Sequence, residues 1–259
     1  MTIFKNDWEK TEEVYKLPIH IIENIIIQAF PETNYSYQII PGGCSNINIK
    51  LNLEGINNPY LLRIYIHNKQ AMYKEKNISK LLKNKIPIPI FFHSGICDGY
   101  HFAINNYISG ITLRELLLKN NTNNIDDIMY QVGKILSIIT SIKFKNNGFF
   151  DKDLNISEET NKDNIITFFK NSLNLIDTKK LIDSELIHNI NIYFDKNVKF
   201  IPNNNTESSL VHGDFDPANI MVDNINGKWI VSGVLDWEFS FSGTILWDIA
   251  NMLRYSFKT

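Results

Sequence analysis

His212-Gly213-Asp214-Phe215-Asp216-Pro217-Ala218-Asn219 is the stretch from which the rest of the chain can be read. An Asp followed five positions later by Asn is the spacing of a phosphoryl-transfer loop. The two residues share a task. Asp214 accepts or orients the proton of an attacking hydroxyl. Asn219 reaches back across the same turn to hold a metal ion that bridges phosphates. Seventeen residues further on, the apolar run Ile230–Leu235 ends at Asp236. A carboxylate at a strand end behind such a loop is where a second Mg²⁺ ligand belongs.

The N-terminal half supplies the other side of a nucleotide site. Gly42-Gly43-Cys44-Ser45-Asn46 lies between two strand-like runs, where small residues let backbone amides approach phosphates. Arg63 stands inside the apolar strand Leu61-Leu62-Arg63-Ile64-Tyr65, and a cation there needs a partner or a ligand. Glu75, on the following helix, is the natural partner, and the pair is suited to positioning phosphates. A metallohydrolase built on His212, Asp214, Asp216 and Asp236 leaves both the Gly-rich turn and the Arg63–Glu75 pair unexplained.

Periodicity places these residues on elements. Pro18 opens a helix that runs to Phe30. Strands follow at Tyr35–Ile40, Asn48–Leu53 and Tyr60–Ile66, separated by Pro41-Gly42-Gly43 and Asn57-Asn58-Pro59. A helix over Gln70–Lys83 ends before Pro87 and Pro89. Strands near Ile90–His93 and His101–Tyr107 then complete a five-stranded antiparallel sheet with one main helix. Thr112 caps a helix through Leu118, with Glu115 closing the capping box. Ile125–Ile142 is a longer amphipathic helix, Lys145–Asn164 reads as irregular, and two further helices extend to about Lys196. Short strands fall at Leu210-Val211, Ile220–Val222 and Trp229–Leu235. The fold expected is α+β and two-lobed, protein-kinase-like: residues 1–108 form the nucleotide-binding lobe, and residues 109–259 a mostly helical catalytic and acceptor lobe with short catalytic strands.

The bulk properties remove other classes. The chain has 259 residues, enough for a sizeable core, with 44% apolar and 21% charged residues. A net charge of −2 gives no basic field for nucleic acid. The apolar stretch at residues 21–30 is too short for a bilayer and carries Glu23, and the charged opening is no secretory signal, so no membrane partner is expected. Two separated cysteines, Cys44 and Cys97, read as reduced thiols of a cytoplasmic protein.

Taken in order, PGGCSNINIKL (41–51), YLLRIY (60–65), YKEKNISKLL (73–82) followed by IPIP (86–89), NNYISGITLRELL (105–117), HGDFDPANI (212–220), VLDWEFS (234–240) and WDIANMLRY (247–255) resemble the aminoglycoside phosphotransferase and choline kinase-like group of small-molecule kinases. The resemblance implies transfer of the ATP γ-phosphate to a hydroxyl of a small molecule, an aminoglycoside-like antibiotic or a small metabolite. Asp214 would be the catalytic base, and Asn219 and Asp236 the Mg²⁺ ligands. Gly43, Ser45 and Asn46 would cover the phosphates, while Arg63 and Glu75 anchor them. The hinge would be Asn105–Ile108, pairing with adenine through the backbone of Asn106 and Ile108. His212 would brace the loop, and Asp248 would fix it. Asp216 and Glu238 would suit a cationic acceptor. Many relatives carry Lys where Arg63 stands, and other branches carry Arg. Relatives also continue past the position of Thr259, so a truncated acceptor side is expected. The alternative reading is a nucleotide-binding protein of this fold that lacks catalysis because the acceptor site is incomplete.

Overall fold

The computed structural model describes residues 17–40, 46–119, 125–201 and 208–254. Helix α1 (Ile19–Ala29) leads into strands β1 (Tyr35–Ile40), β2 (Asn46–Leu53) and β3 (Tyr60–Tyr65). Helix α2 (Ala71–Leu82) then precedes the hairpin of β4 (Phe91–Cys97) and β5 (Tyr100–Asn106). The sheet is antiparallel throughout, in the order β1-β2-β3-β5-β4. Alternation along the strands divides its faces. Ile47, Ile49, Leu51, Leu62, Ile64, Phe102 and Ile104 join Ile21, Ile22, Ile25 and Ile26 of α1 in one apolar core. Asn48, Leu61, Arg63 and Asn105 face the other way, toward a cavity.

After β5 come β6 (Ile111–Thr112), α3 (Leu113–Leu118), α4 (Ile125–Thr140), β7 (Gly148–Phe150), β8 (Ile156–Glu159), α5 (Lys162–Asn174), α6 (Ile176–Leu181), α7 (Ser184–Asn197), β9 (Ser209–Val211), β10 (Ile220–Ile225), β11 (Lys228–Val234), β12 (Phe241–Gly243) and α8 (Leu246–Leu253). The expected cap of α3 is present: Thr112 Oγ1 accepts from the Glu115 N–H at 3.1 Å, and Glu115 Oε2 accepts from the Thr112 N–H at 2.8 Å. Helix α4 buries Ile128, Val132, Ile135, Leu136 and Ile139 on one stripe. That stripe packs into a core shared with Phe215, Ile220, Val222, Val234 and Trp237, and with Ile78 and Leu82 of α2. One apolar cluster therefore spans the helix that carries Glu75 and the strands that carry the 212–219 loop and Asp236.

Two stretches differ from their sequence reading. Lys145–Asn164 is not irregular. It holds β7 and β8, which pair with β12 and β9 in the order β8-β7-β12-β9. The partners that make these strands lie far along the chain (Phe149 opposite Phe241), and three- and four-residue strands have too little periodicity of their own to be seen. Residues 162–197 form three helices, not two. They are only lightly packed: α7 has no buried residue, and α5 buries Leu173 alone. The β4–β5 hairpin is also longer than expected, turning through Asp98 and Gly99, both with positive φ. Among the described residues, no helix is long and apolar enough to cross a membrane.

Candidate active site

The loop 212–219 is held from three directions. Gly213 has φ +86°, and a Cβ there would sit 2.4 Å from the Phe239 carbonyl oxygen, so the backbone admits only glycine. Asp248, fully buried on α8, accepts the His212 N–H at 2.8 Å and the Gly213 N–H at 3.0 Å. Burial pushes the Asp248 carboxyl above the usual range, opposed by His212 and by these amides. His212 is fully buried with both ring nitrogens engaged. Nδ1 faces the Asp214 N–H at 3.3 Å, and Nε2 lies 2.8 Å from the Leu235 carbonyl. An Nδ1 that accepts leaves Nε2 to donate, so the ring braces the loop at two points.

Asn219 ties the two ends of the loop together. Its Nδ2 donates to the Asp214 carbonyl at 2.9 Å and to Asp214 Oδ2 at 3.0 Å. The Leu235 N–H then donates to the Asn219 carbonyl at 2.8 Å, which sets Asp236 beside Asn219. Asp236 itself is left-handed, with φ 65° and ψ 64°, a conformation rarely taken by a residue with a side chain and concentrated at working sites.

From the sheet, Arg63 Nη2 reaches Asp236 Oδ1 at 2.6 Å and Glu75 Oε1 at 3.6 Å. Burial disfavours the Arg63 charge, but Glu75 and Asp236 outweigh it and hold the guanidinium firmly protonated. Glu75 is buried and accepts from the Tyr65 hydroxyl at 2.5 Å. Burial raises the Glu75 carboxyl, with Arg63 pulling the other way.

The cavity above this cluster has a volume of about 220 Å³, with Leu61, Ile88, Phe91, Ile108, Met221 and Trp237 among its apolar walls. Its rim is the segment after β5. The Tyr107 N–H returns to the Pro59 carbonyl at 3.2 Å, while the Asn106 N–H turns the other way to the Ile90 carbonyl at 3.2 Å. The Asn106 side chain accepts the Ile90 N–H at 2.6 Å in place of its main-chain carbonyl. Asn106, Tyr107 and Ile108 all line the cavity.

The remaining candidate residues divide. Asn46 is buried at the start of β2, whereas Gly43 and Ser45 lie outside the described residues, as does Cys44. Asp216 is corrected by the structure: it is 1% exposed, it caps the 217–219 turn by accepting the Ala218 N–H at 2.9 Å, and it pairs with Arg254. A carboxylate committed in that way has no free face for a cationic acceptor. Glu238 is also buried, against Asp236, Lys74 and Glu75. Desolvation, then Asp236, pushes its carboxyl up to about 7. Asn105, the first residue of the expected hinge, is a buried amide on the cavity wall, at the inward position of an apolar strand.

Asn219 and Asp236 offer hard oxygen donors side by side, the set that suits Mg²⁺ completed by phosphates and water. Among the described residues, no group of three or more His, Cys, Asp or Glu forms a self-sufficient metal cage. The arrangement fits a cation that arrives with a phosphorylated ligand.

The chain belongs to the phosphotransferase enzyme family, whose model matches residues 36–259. Its fold is that of the kinase-like aminoglycoside phosphotransferases. It superposes with a TM-score of 0.69 on aminoglycoside phosphotransferase APH(4)-Ia in a ternary complex with AMP-PNP and hygromycin B, at 19% identity over 89% of this chain and 75% of that one. A variant of aminoglycoside 2'-phosphotransferase-IIIa bound to GDP gives 0.69 at 16% identity over 92% and 77%. The GDP and kanamycin complex of APH(2")-IIIa gives 0.60 at 17% identity over 90% and 77%. No curated protein matches the chain.

Proposed function

We propose that the protein is an ATP-dependent phosphotransferase that moves the γ-phosphate to a hydroxyl of a small molecule. One observation carries the reading. Residues from three separate stretches of sequence are linked in series: Asn219 donates to Asp214 and accepts the Leu235 N–H next to Asp236, and Asp236 pairs with Arg63 in the lining of the cavity. Residues 1–108 would be the nucleotide lobe and residues 109–259 the catalytic and acceptor lobe. The backbone of Asn106 and Ile108 would take the base, and Gly43, Ser45 and Asn46 the phosphates together with Arg63, braced by Glu75. Asp214, steadied by the Asn219 amide, would orient the acceptor hydroxyl and receive its proton. Asn219 and Asp236 would hold Mg²⁺, which when bound neutralises charge on the phosphates. Such a site works by positioning and electrostatics, with little covalent machinery.

The neighbours' hygromycin B and kanamycin make aminoglycosides the first acceptors to try. Of the two acidic acceptor candidates, only Glu238 remains, since Asp216 is spent on Arg254. The test is Mg·ATP turnover by the 259-residue chain against aminoglycosides, choline, homoserine, methylthioribose and macrolides, with Asp214→Ala beside it. Acceptor-dependent ADP release that vanishes in the variant is the expected result. ATP binding with no acceptor phosphorylated would replace this reading with the non-catalytic nucleotide-binding one.

A further inference from the structure

Strand β2 carries an amide in the roof of the cavity. Asn48 stands between Ile47 and Ile49, which both pack into the apolar core with α1, so alternation turns Asn48 to the cavity side. Its register neighbours are Ile40 on β1 and Arg63 on β3, and all three line the cavity. Asn48 Oδ1 is buried and has no hydrogen-bond partner among the described residues. A ligand that fills the cavity must bring a donor to that oxygen or bind less tightly.

The chemistry of a nucleotide limits what that donor can be. Ionised phosphate oxygens only accept, and in the proposed reading the base pairs with the hinge backbone. The ribose hydroxyls are the donors that remain. Position agrees with this. On β3, Leu61 pairs with Asn105 beside the expected base site, and Arg63, two residues on, marks the expected phosphate site. The sugar of a nucleotide lies between its base and its phosphates, and Asn48 faces that interval from β2, opposite Arg63. We propose that Asn48 Oδ1 accepts a hydrogen bond from a ribose hydroxyl of the bound nucleotide, so that the site selects ribonucleotides over nucleotides that lack these hydroxyls. This deepens the phosphotransferase reading and rests on its nucleotide site. An aliphatic side chain at this place would pack on the nucleotide without distinguishing the two sugars.

The test is equilibrium binding of Mg·ATP and of Mg·2′,3′-dideoxy-ATP to the full chain and to two variants. The natural chain should bind ATP about five- to tenfold more tightly than the dideoxy nucleotide, the span of one net hydrogen bond. In Asn48→Leu, nearly isosteric but without an acceptor, ATP should weaken by that factor while dideoxy-ATP binds as before. Asn48→Asp keeps an acceptor in place and should keep the preference, even as its charge weakens both nucleotides alike. Equal affinities in the natural chain overturn the proposal, and that comparison stands even if a variant does not fold. A preference that survives in Asn48→Leu overturns it too, by tracing the effect to another residue. An equal loss for both nucleotides in Asn48→Leu overturns it in favour of an amide that donates to phosphate. Failure to bind either nucleotide would sink the nucleotide site itself; binding without a hydroxyl preference would sink only this inference.

Discussion

Arg63 Nη2 lies 2.6 Å from Asp236 Oδ1, so a cation on the third strand and a carboxylate 173 residues later close one ion pair across the floor of the cavity. In the proposed cycle both groups also have other work, Arg63 on phosphate and Asp236 on Mg²⁺. In the structure the arginine occupies a lone pair of that carboxylate. Arg63→Met should therefore move two affinities in opposite directions, each on the order of tenfold: Mg²⁺ alone binds more tightly, and the nucleotide more weakly. Calorimetric titration of each ligand checks this, and a parallel change in both would reject the shared role of Asp236.

Asp214→Asn keeps the bulk of the side chain but removes its basicity. Activity should fall about 10²- to 10⁴-fold in kcat, the range for loss of a positioned proton acceptor, with nucleotide affinity little changed. Steady-state kinetics beside ATP binding separate the two. A loss that appears only in nucleotide affinity would remove Asp214 from the chemistry.

Asp248 touches neither the cavity nor Asp214's carboxylate, yet it receives the two N–H groups that open the loop. Asp248→Ala strands one buried and one part-buried amide and should cost on the order of 2–4 kcal/mol of stability. Denaturant melts give that cost directly. A midpoint shift too small for one lost buried bond would mean that the loop is anchored elsewhere.

Tyr65→Phe leaves the Glu75 carboxylate without its 2.5 Å donor and with Arg63 at 3.6 Å as its remaining partner. The expected destabilisation is about 1–3 kcal/mol, the cost of an under-satisfied buried group. The same melts measure it, and a neutral outcome would show that Arg63 alone satisfies Glu75.

Glu238, raised from 4.5 to about 7 by burial first and then by Asp236, sets a pH dependence. The folded chain keeps a proton that the unfolded chain releases above its ordinary value. In metal-free buffer, stability should therefore fall as pH rises from about 4.5 to about 7, by on the order of 1–2 kcal/mol after solvent screening. Glu238→Gln should flatten that fall. An identical slope in the variant would trace it to another group.

How much of this was visible beforehand depended on the range of the interactions involved. The capping box at Thr112 and Glu115 was legible because both partners lie within one helical turn. The five-stranded sheet was legible because its alternation and turn residues are local. Strands β7, β8 and β12 were not: Phe149 becomes a strand residue only because Phe241 lies opposite it. Asp216 misled for a related reason. Its acidity and its place in the loop are sequence facts, but its engagement by Arg254, 38 residues on, is a fact of packing.

The sequence by itself determined the family, the chemistry-bearing residue types and their order, since Asp214, Asn219 and Asp236 carry their meaning in spacing and side-chain chemistry. Only the tertiary structure decided which of them meet, which are spent on neighbours and which face the cavity. Those outcomes follow from long-range burial: a core shared by α2, α4 and the β10–β11 hairpin brings Glu75 and Asp236 together, Arg63 reaches both from β3, and inward-facing register puts the Asn105 amide on the cavity wall.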